Sequence, residues 1–283
     1  MAQPATGTTW AGGGFADIDP RLVSRGGLQC VLIRDDLGED SNISPFTSFS
    51  GATFEAAAAG AVINFSPFAQ DYSPRADLIG AKLVAGKWVK NPNANAGFLS
   101  IGSQTEDGGS ERKPDTKSDD LKILQSVFPI DTAITEKSLT VNFKAVEGVK
   151  PLLQHLENEQ PLCDSNGTLI LPDLGAQHYV TGPAADQDPI ARQLLLWYAK
   201  KVDGLWLYQV EGVASAKLDS QGAKKRTKTD PDVTDLTFKS TLNPYFMVPV
   251  FDRQSDAWIL APGGSHCVWF GGPAWEAFGP SGS

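Results

Sequence analysis

The chain is poor in the residues that announce catalytic or metal chemistry. In 283 residues it has three cysteines and three histidines. Cys30, Cys163 and Cys267 stand far apart with no CxxC pair, so neither a disulfide framework nor a zinc ribbon is expected, and reduced, buried thiols are. His155 and Glu159 fall on one helix face, but the HExxH pattern and a third ligand are missing. His178 and His266 stand alone. No run of about 18 consecutive apolar residues occurs, so no membrane-spanning helix is expected. The opening MAQPATGTTWAGGGF lacks the basic and apolar regions of a signal peptide, and the expectation is a protein made and used inside the cell. Positive charge is scarce as well: the net charge is −9 and the isoelectric point about 4.8. That balance argues against tight duplex DNA binding, which is carried by clustered Lys and Arg.

Motif spacings exclude further chemistry. Gly80 to Trp88, GAKLVAGKW, superficially evokes a phosphate loop, yet its glycines are wrongly spaced and Trp88 replaces the magnesium-binding hydroxyl. Asp230, Asp232 and Asp235 lack the glycine and bidentate Glu of a calcium loop. His266-Cys267 has no neighbouring base. The pairs Asp35-Asp36, Glu106-Asp107 and Asp119-Asp120 are expected in polar loops, and nothing in the sequence sets two carboxylates at the fixed separation glycoside cleavage needs. No catalytic residue, metal or cofactor is expected.

What is present is β pattern. Residues 1–76 hold glycine clusters, prolines and aromatics without sustained period around one short strand, Gln29 to Ile33. They read as an extended arm or small lobe whose aromatics lie on a partner surface. Short strands are expected over 78–89, 96–101, 121–127, 134–146 and 236–242, and alternation of Leu139, Val141 and Phe143 with polar neighbours gives the fourth one buried face. Leu194 to Lys200 and Leu205 to Ala214 flank Asp203-Gly204, a hairpin turn, and are apolar on both faces. Val149, Leu152, Leu153 and Leu156 follow helical spacing, with Pro151 in the first turn and Pro161 beyond, so one helix is expected over about 147–159. The stretch 102–120 reads as a long solvated inter-strand loop that orders on a partner. The end, from Trp258, is rich in Gly, Pro and aromatics and reads as a second arm.

The segments 77–109, 118–147, 192–218 and 230–246 resemble the major tail tube proteins of siphophages infecting actinobacteria, notably DLIGAKLVAGKWVKNPNANAGFLSIGSQTEDGG and RQLLLWYAKKVDGLWLYQVEGVASAKL. The resemblance implies a mainly β fold, an antiparallel sandwich or open barrel with one flanking helix, as the tube domain 77–257 between arms 1–76 and 258–283. It implies a non-enzymatic virion protein of a long flexible tail that assembles in the host cytoplasm into stacked hexameric rings and serves genome ejection through the host cell envelope. Its implied partners are further copies of itself, the tape measure protein and double-stranded genomic DNA in the lumen, and the tail terminator and tail tip proteins at the ends, with no membrane. If six subunits each gave about four strands, two dozen strands at about 4.8 Å spacing and 40° tilt would make a circle about 48 Å across, and an acidic wall would not hold DNA.

Two charged stretches are the candidate contact sites between subunits or rings. One holds Glu106, Asp107, Glu111, Arg112, Asp115, Asp119 and Asp120; the other is the basic run Lys224, Lys225, Arg226 and Lys228. Each is expected to face opposite charge on a neighbour, setting register and rate more than affinity. The alternative class is a carbohydrate-binding or carbohydrate-cleaving β-sandwich module of a phage tail, since acidic, Trp-rich chains with exposed aromatics stack on sugars.

Overall fold

The computed structural model describes residues 20–23, 27–95, 97–106, 109–121, 131–183, 185, 188–224, 227–228 and 231–279. In chain order the elements are β1 (Leu28–Asp35), β2 (Phe46–Ser48), α1 (Phe54–Ala59), β3 (Val62–Ile63), β4 (Ala81–Val84), β5 (Lys87–Lys90), β6 (Leu99–Ser100), β7 (Glu111–Leu121) and β8 (Asp131–Ala145). There follow α2 (Pro151–Glu157), β9 (Arg192–Val202), β10 (Leu205–Gln221), β11 (Thr234–Ser240), β12 (Met247–Asp252), β13 (Ala257–Pro262), β14 (His266–Gly271) and α3 (Pro273–Glu276). The fold is mainly β and antiparallel, as expected, with few helices. No helix among the described residues is long and apolar enough to cross a membrane.

The main sheet runs β6-β1-β9-β10-β11-β8-β7, and β14 joins it on β10. Its centre is the hairpin β9–β10, turned by Asp203 (φ 50°) and Gly204 (φ 82°), the tight positive-φ turn anticipated for Asp-Gly. Apolar residues on both faces of β1, β9 and β10 mean two cores, one per face. On one face Val31, Ile33, Leu194, Leu196 and Val213 pack with Leu139, Val141, Phe143, Leu236 and Phe238. On the other, Leu32, Leu195, Val210 and Ala214 pack with Phe65, Phe68, Phe98 and Phe246. A register shift between Val213 and Ala216 turns Ala216 into the first core, the bend that lets β10 pass from β14 to β11.

The first core is rolled rather than flat. Ile101 donates its amide to Val31 on β1 at 3.1 Å, and Thr105 donates to Lys144 of β8 at 3.2 Å. The segment 99–105 therefore reaches from β1 near one end of the sheet to β8, next to the other end, and curls the sheet into a sandwich without closing a barrel. Helix α2 plugs it: Leu152, Leu153 and Leu156 are buried there, whereas Val149, the first residue of the expected helical spacing, lies before the helix and is exposed. Hairpin β4–β5, turned by Ala85 and Gly86 at positive φ, covers another opening with Trp88, whose ring nitrogen donates to the Pro172 carbonyl at 3.0 Å.

Four expectations need correction. The N-terminal region is no separate arm from Leu28 onward, because β1 pairs with β9 over its whole length, and Phe49, Phe65 and Phe68 are buried within the chain itself. The C-terminal stretch is no arm either: β14 pairs with β10 from Tyr208 to Val213. The boundaries at 76/77 and 257/258 thus separate no unit. Two further short helices, α1 and α3, accompany the expected one, α1 capped by Thr53, whose hydroxyl accepts from the Ala56 amide at 3.2 Å. Finally, 111–120 is not loop but strand, since β7 pairs along β8 from Glu111–Asn142 to Leu121–Asp131. The strand expected over 121–127 lies outside the described residues beyond Leu121.

Candidate assembly surface

Strand β8 is longer than its inner neighbour. It pairs with β11 only from Thr140 to Ala145, whereas β7 accompanies it back to Asp131. From Leu139 outward the two strands form a ribbon with no third strand among the described residues, and its described side chains from Asp131 to Thr135 are exposed. Among the described residues β7 ends the sheet, and one side of it is an edge with no strand paired to it.

That edge is guarded. Pro114 stands opposite Leu139, and the Leu139 amide points away from β7 to donate to the Ser240 hydroxyl at 3.0 Å. The pair is thus a non-hydrogen-bonded one, and Pro114 turns its donorless nitrogen to the open side. Proline and dense charge on an edge strand prevent indiscriminate strand addition. Because Val141 and Leu139 are buried, their partners Arg112 and Pro114 lie on the inner face. Glu111, Lys113, Asp115 and Lys117 consequently share the outer face and alternate in sign. Lys117 donates to Glu136 at 2.6 Å across the ribbon. This bond, before the charge attraction, raises the lysine pKa and, with Lys239, lowers that of Glu136.

The charged residues named from sequence are only partly brought together. Glu111, Arg112, Asp115, Asp119 and Asp120 share β7, while exposed Glu106 sits in the turn before it. Arg112 is distinct from the rest: its Nε lies 2.5 Å from Glu211 Oε2 inside the subunit. Lys224 likewise faces inward partners, 2.6 Å from Glu157 of α2, which also accepts from Thr234 at 3.0 Å. Lys224, exposed, therefore closes the β10–β11 connection on α2. Lys228 is exposed. Asp107, Lys225 and Arg226 lie outside the described residues.

Sequence reasoning missed a buried polar cluster at the junction of β1 and β9. Asp35 and Arg192 form an ion pair with the arginine 2% and the aspartate 5% exposed. Asp35 Oδ2 also accepts from the amides of Leu162, at 2.7 Å, and Cys163, at 3.1 Å. Arg192 donates to the Gln160 carbonyl at 2.6 Å. Burial pushes the Arg192 guanidinium down to about 9, so it stays charged at neutral pH. Next to it Arg34, pushed down to about 10 chiefly by burial, donates to Gln193 at 2.8 Å and lies 4.4 Å from the Phe98 ring centroid. These bonds tie the loop after α2 to the sheet. Asp35, expected in a polar loop, is instead the buried last residue of β1, and the only sequence signal was charge beside otherwise apolar strands, at Arg34, Asp35 and Arg192.

Among the described residues no group of three or more His, Cys, Asp or Glu is placed to hold a metal ion. Burial raises the pKa of each thiol, most strongly at Cys267, which makes all three poor nucleophiles. No protein-family model matches the chain, and no curated protein is significantly similar to it.

Proposed function

We propose that the chain is a structural, self-assembling subunit of a phage tail tube, without catalytic activity. The observation that carries the reading is the β7–β8 ribbon: an extended edge with an outward face of alternating charge and, among the described residues, no further strand paired to β7. The sequence resemblance supplies the kind of assembly, hexameric rings stacked into the conduit for genome delivery. An alternating face is self-complementary in one register, and a slip of one pleat sets like charges opposite each other. Each exposed pair contributes only about 0–1 kcal/mol, so the charges choose register while apolar burial supplies affinity. In this reading duplex DNA passes without tight binding, the tape measure protein shares the lumen, and terminator and tip proteins close the ends.

A second reading, a carbohydrate-binding or carbohydrate-cleaving module, draws on one specific feature. Phe54 and Phe251, each 43% exposed, flank Trp258 with ring centroids 5.1 and 5.8 Å away, a ring arrangement of the kind that stacks on sugars. Electron microscopy of the purified full chain separates the two. Rings or tubes support the tail reading; dispersed monomers retained on cell-wall glycan support the second and overturn the first.

A further inference from the structure

We propose that Arg112, Glu211 and His266 form a proton-sensitive latch that holds the inner end of β7, at the root of the β7–β8 ribbon, against β10 and β14 and lets go when His266 gains a proton. This goes beyond the assembly reading and does not rest on it.

Among the described side chains of β7, Arg112 alone is not exposed. It points inward and joins two other strands: Glu211 of β10, buried and 2.5 Å from its Nε, and His266 of β14, whose Nε2 lies 3.3 Å from its Nη1. Glu211 is held in turn by Gln209, which donates to Oε1 at 3.1 Å. A guanidinium has no acceptor, so Arg112 donates and His266 Nε2 presents its lone pair. The imidazole hydrogen then sits on Nδ1, 3.3 Å from the Ser265 hydroxyl. The charged and titratable groups around His266 are Arg112 from β7 and Glu211 from β10, with Tyr198 of β9 beside both.

A proton on Nε2 sets an N–H against the Arg112 N–H. One hydrogen bond is lost, and two cations compete for one carboxylate. Burial first, then Arg112, lowers the His266 pKa, against an opposing pull from Glu211. The folded pKa thus lies below the ordinary value of 6.5. The contribution of the latch is accordingly full above that value and lost as pH falls through the folded pKa. What remains then for β7 is its ladder with β8, which stays fixed to β11 and through Leu139 to Ser240, and Ser110, bonded to Tyr198 at 3.1 Å and to Gln29 at 3.0 Å. The inner end of β7 loosens on those bonds rather than detaching.

Hydrogen exchange of the dilute full chain, corrected for intrinsic rates, tests this between about pH 8 and about pH 5. Loss of a charge-assisted hydrogen bond predicts roughly tenfold lower protection across 109–121 and 138–142 at the acid end, with β9 unchanged. His266→Asn, whose carbonyl still accepts from Arg112, is expected to keep protection at every pH, and Arg112→Met to lack it at every pH. NMR titration of the wild-type histidine ring protons serves if a variant misfolds, because loosening of β7 must share its midpoint with His266. Wild-type protection indifferent to pH, an equal acid loss in His266→Asn, or a mismatched midpoint overturns the proposal.

Discussion

Replacing Asp35 by Ala is expected to be among the costliest single changes in this protein. The carboxylate is the counter-charge of Arg192 and accepts two backbone amides, from Leu162 and Cys163. Without it a fully charged guanidinium stays in a nearly dry site, held only by the Gln160 carbonyl, and the two amides lose their acceptor. Breaking a buried pair from one side costs about 3–5 kcal/mol, and each abandoned buried amide adds about 1–3 kcal/mol unless water reaches it. Arg192→Met is expected to cost less, about 2–3 kcal/mol, because Asp35 then still holds both amides and the thioether fills the apolar space. Urea denaturation of the unassembled subunit, followed by tryptophan fluorescence, measures both. An Asp35→Ala cost below about 1 kcal/mol, or an Arg192→Met cost exceeding it, would refute the assignment of this pair as the tie between sheet and loop.

Phe143 and Phe238 stack at 5.7 Å in the first core, so Phe238→Ala should cost about 3–5 kcal/mol by urea titration. A Cβ on Gly212 would lie 2.5 Å from the Trp269 ring; Gly212→Val should therefore cost about 1–3 kcal/mol and alter the near-ultraviolet tryptophan circular dichroism. Pro114→Val gives the open edge an additional amide donor, and light scattering should report faster, less specific association. Exchanging Lys113 and Lys117 for Glu makes the outer face of β7 single-signed; rings seen by electron microscopy at low salt should become fewer, with partial recovery as salt screens repulsion over about 10 Å at 0.1 M.

The apolar patterns were legible where a strand or helix buries a face within its own segment. Alternation at Leu139, Val141 and Phe143, the two-faced Leu194 to Trp197, and the spacing of Leu152, Leu153 and Leu156 each led to the element and to its core side. Strand β7 was illegible because ERKPDTKSDDL has no apolar period; it is a strand through pairing with β8, a long-range fact. The terminal aromatics misled for a related reason. Phe65 and Phe68 lack local periodicity because they pack on strands far along the chain, 5.7 Å from Trp269 and 5.5 Å from Trp197. The latch was hidden too, since Arg112, Glu211 and His266 come from three strands separated widely in sequence.

Strand β10 has a mechanical consequence. Its seventeen residues pair with β9 on one side and with β14 and then β11 on the other, so a single backbone belongs to both packed cores. Pulling β10 along its own axis against its neighbours loads many ladder bonds in parallel, and these must shear together rather than unzip one by one. The bulge between Val213 and Ala216 is the natural point of flexure. Bending strain is therefore concentrated in the middle of one strand, where the flanking ladders resist stretch while still permitting a change of angle.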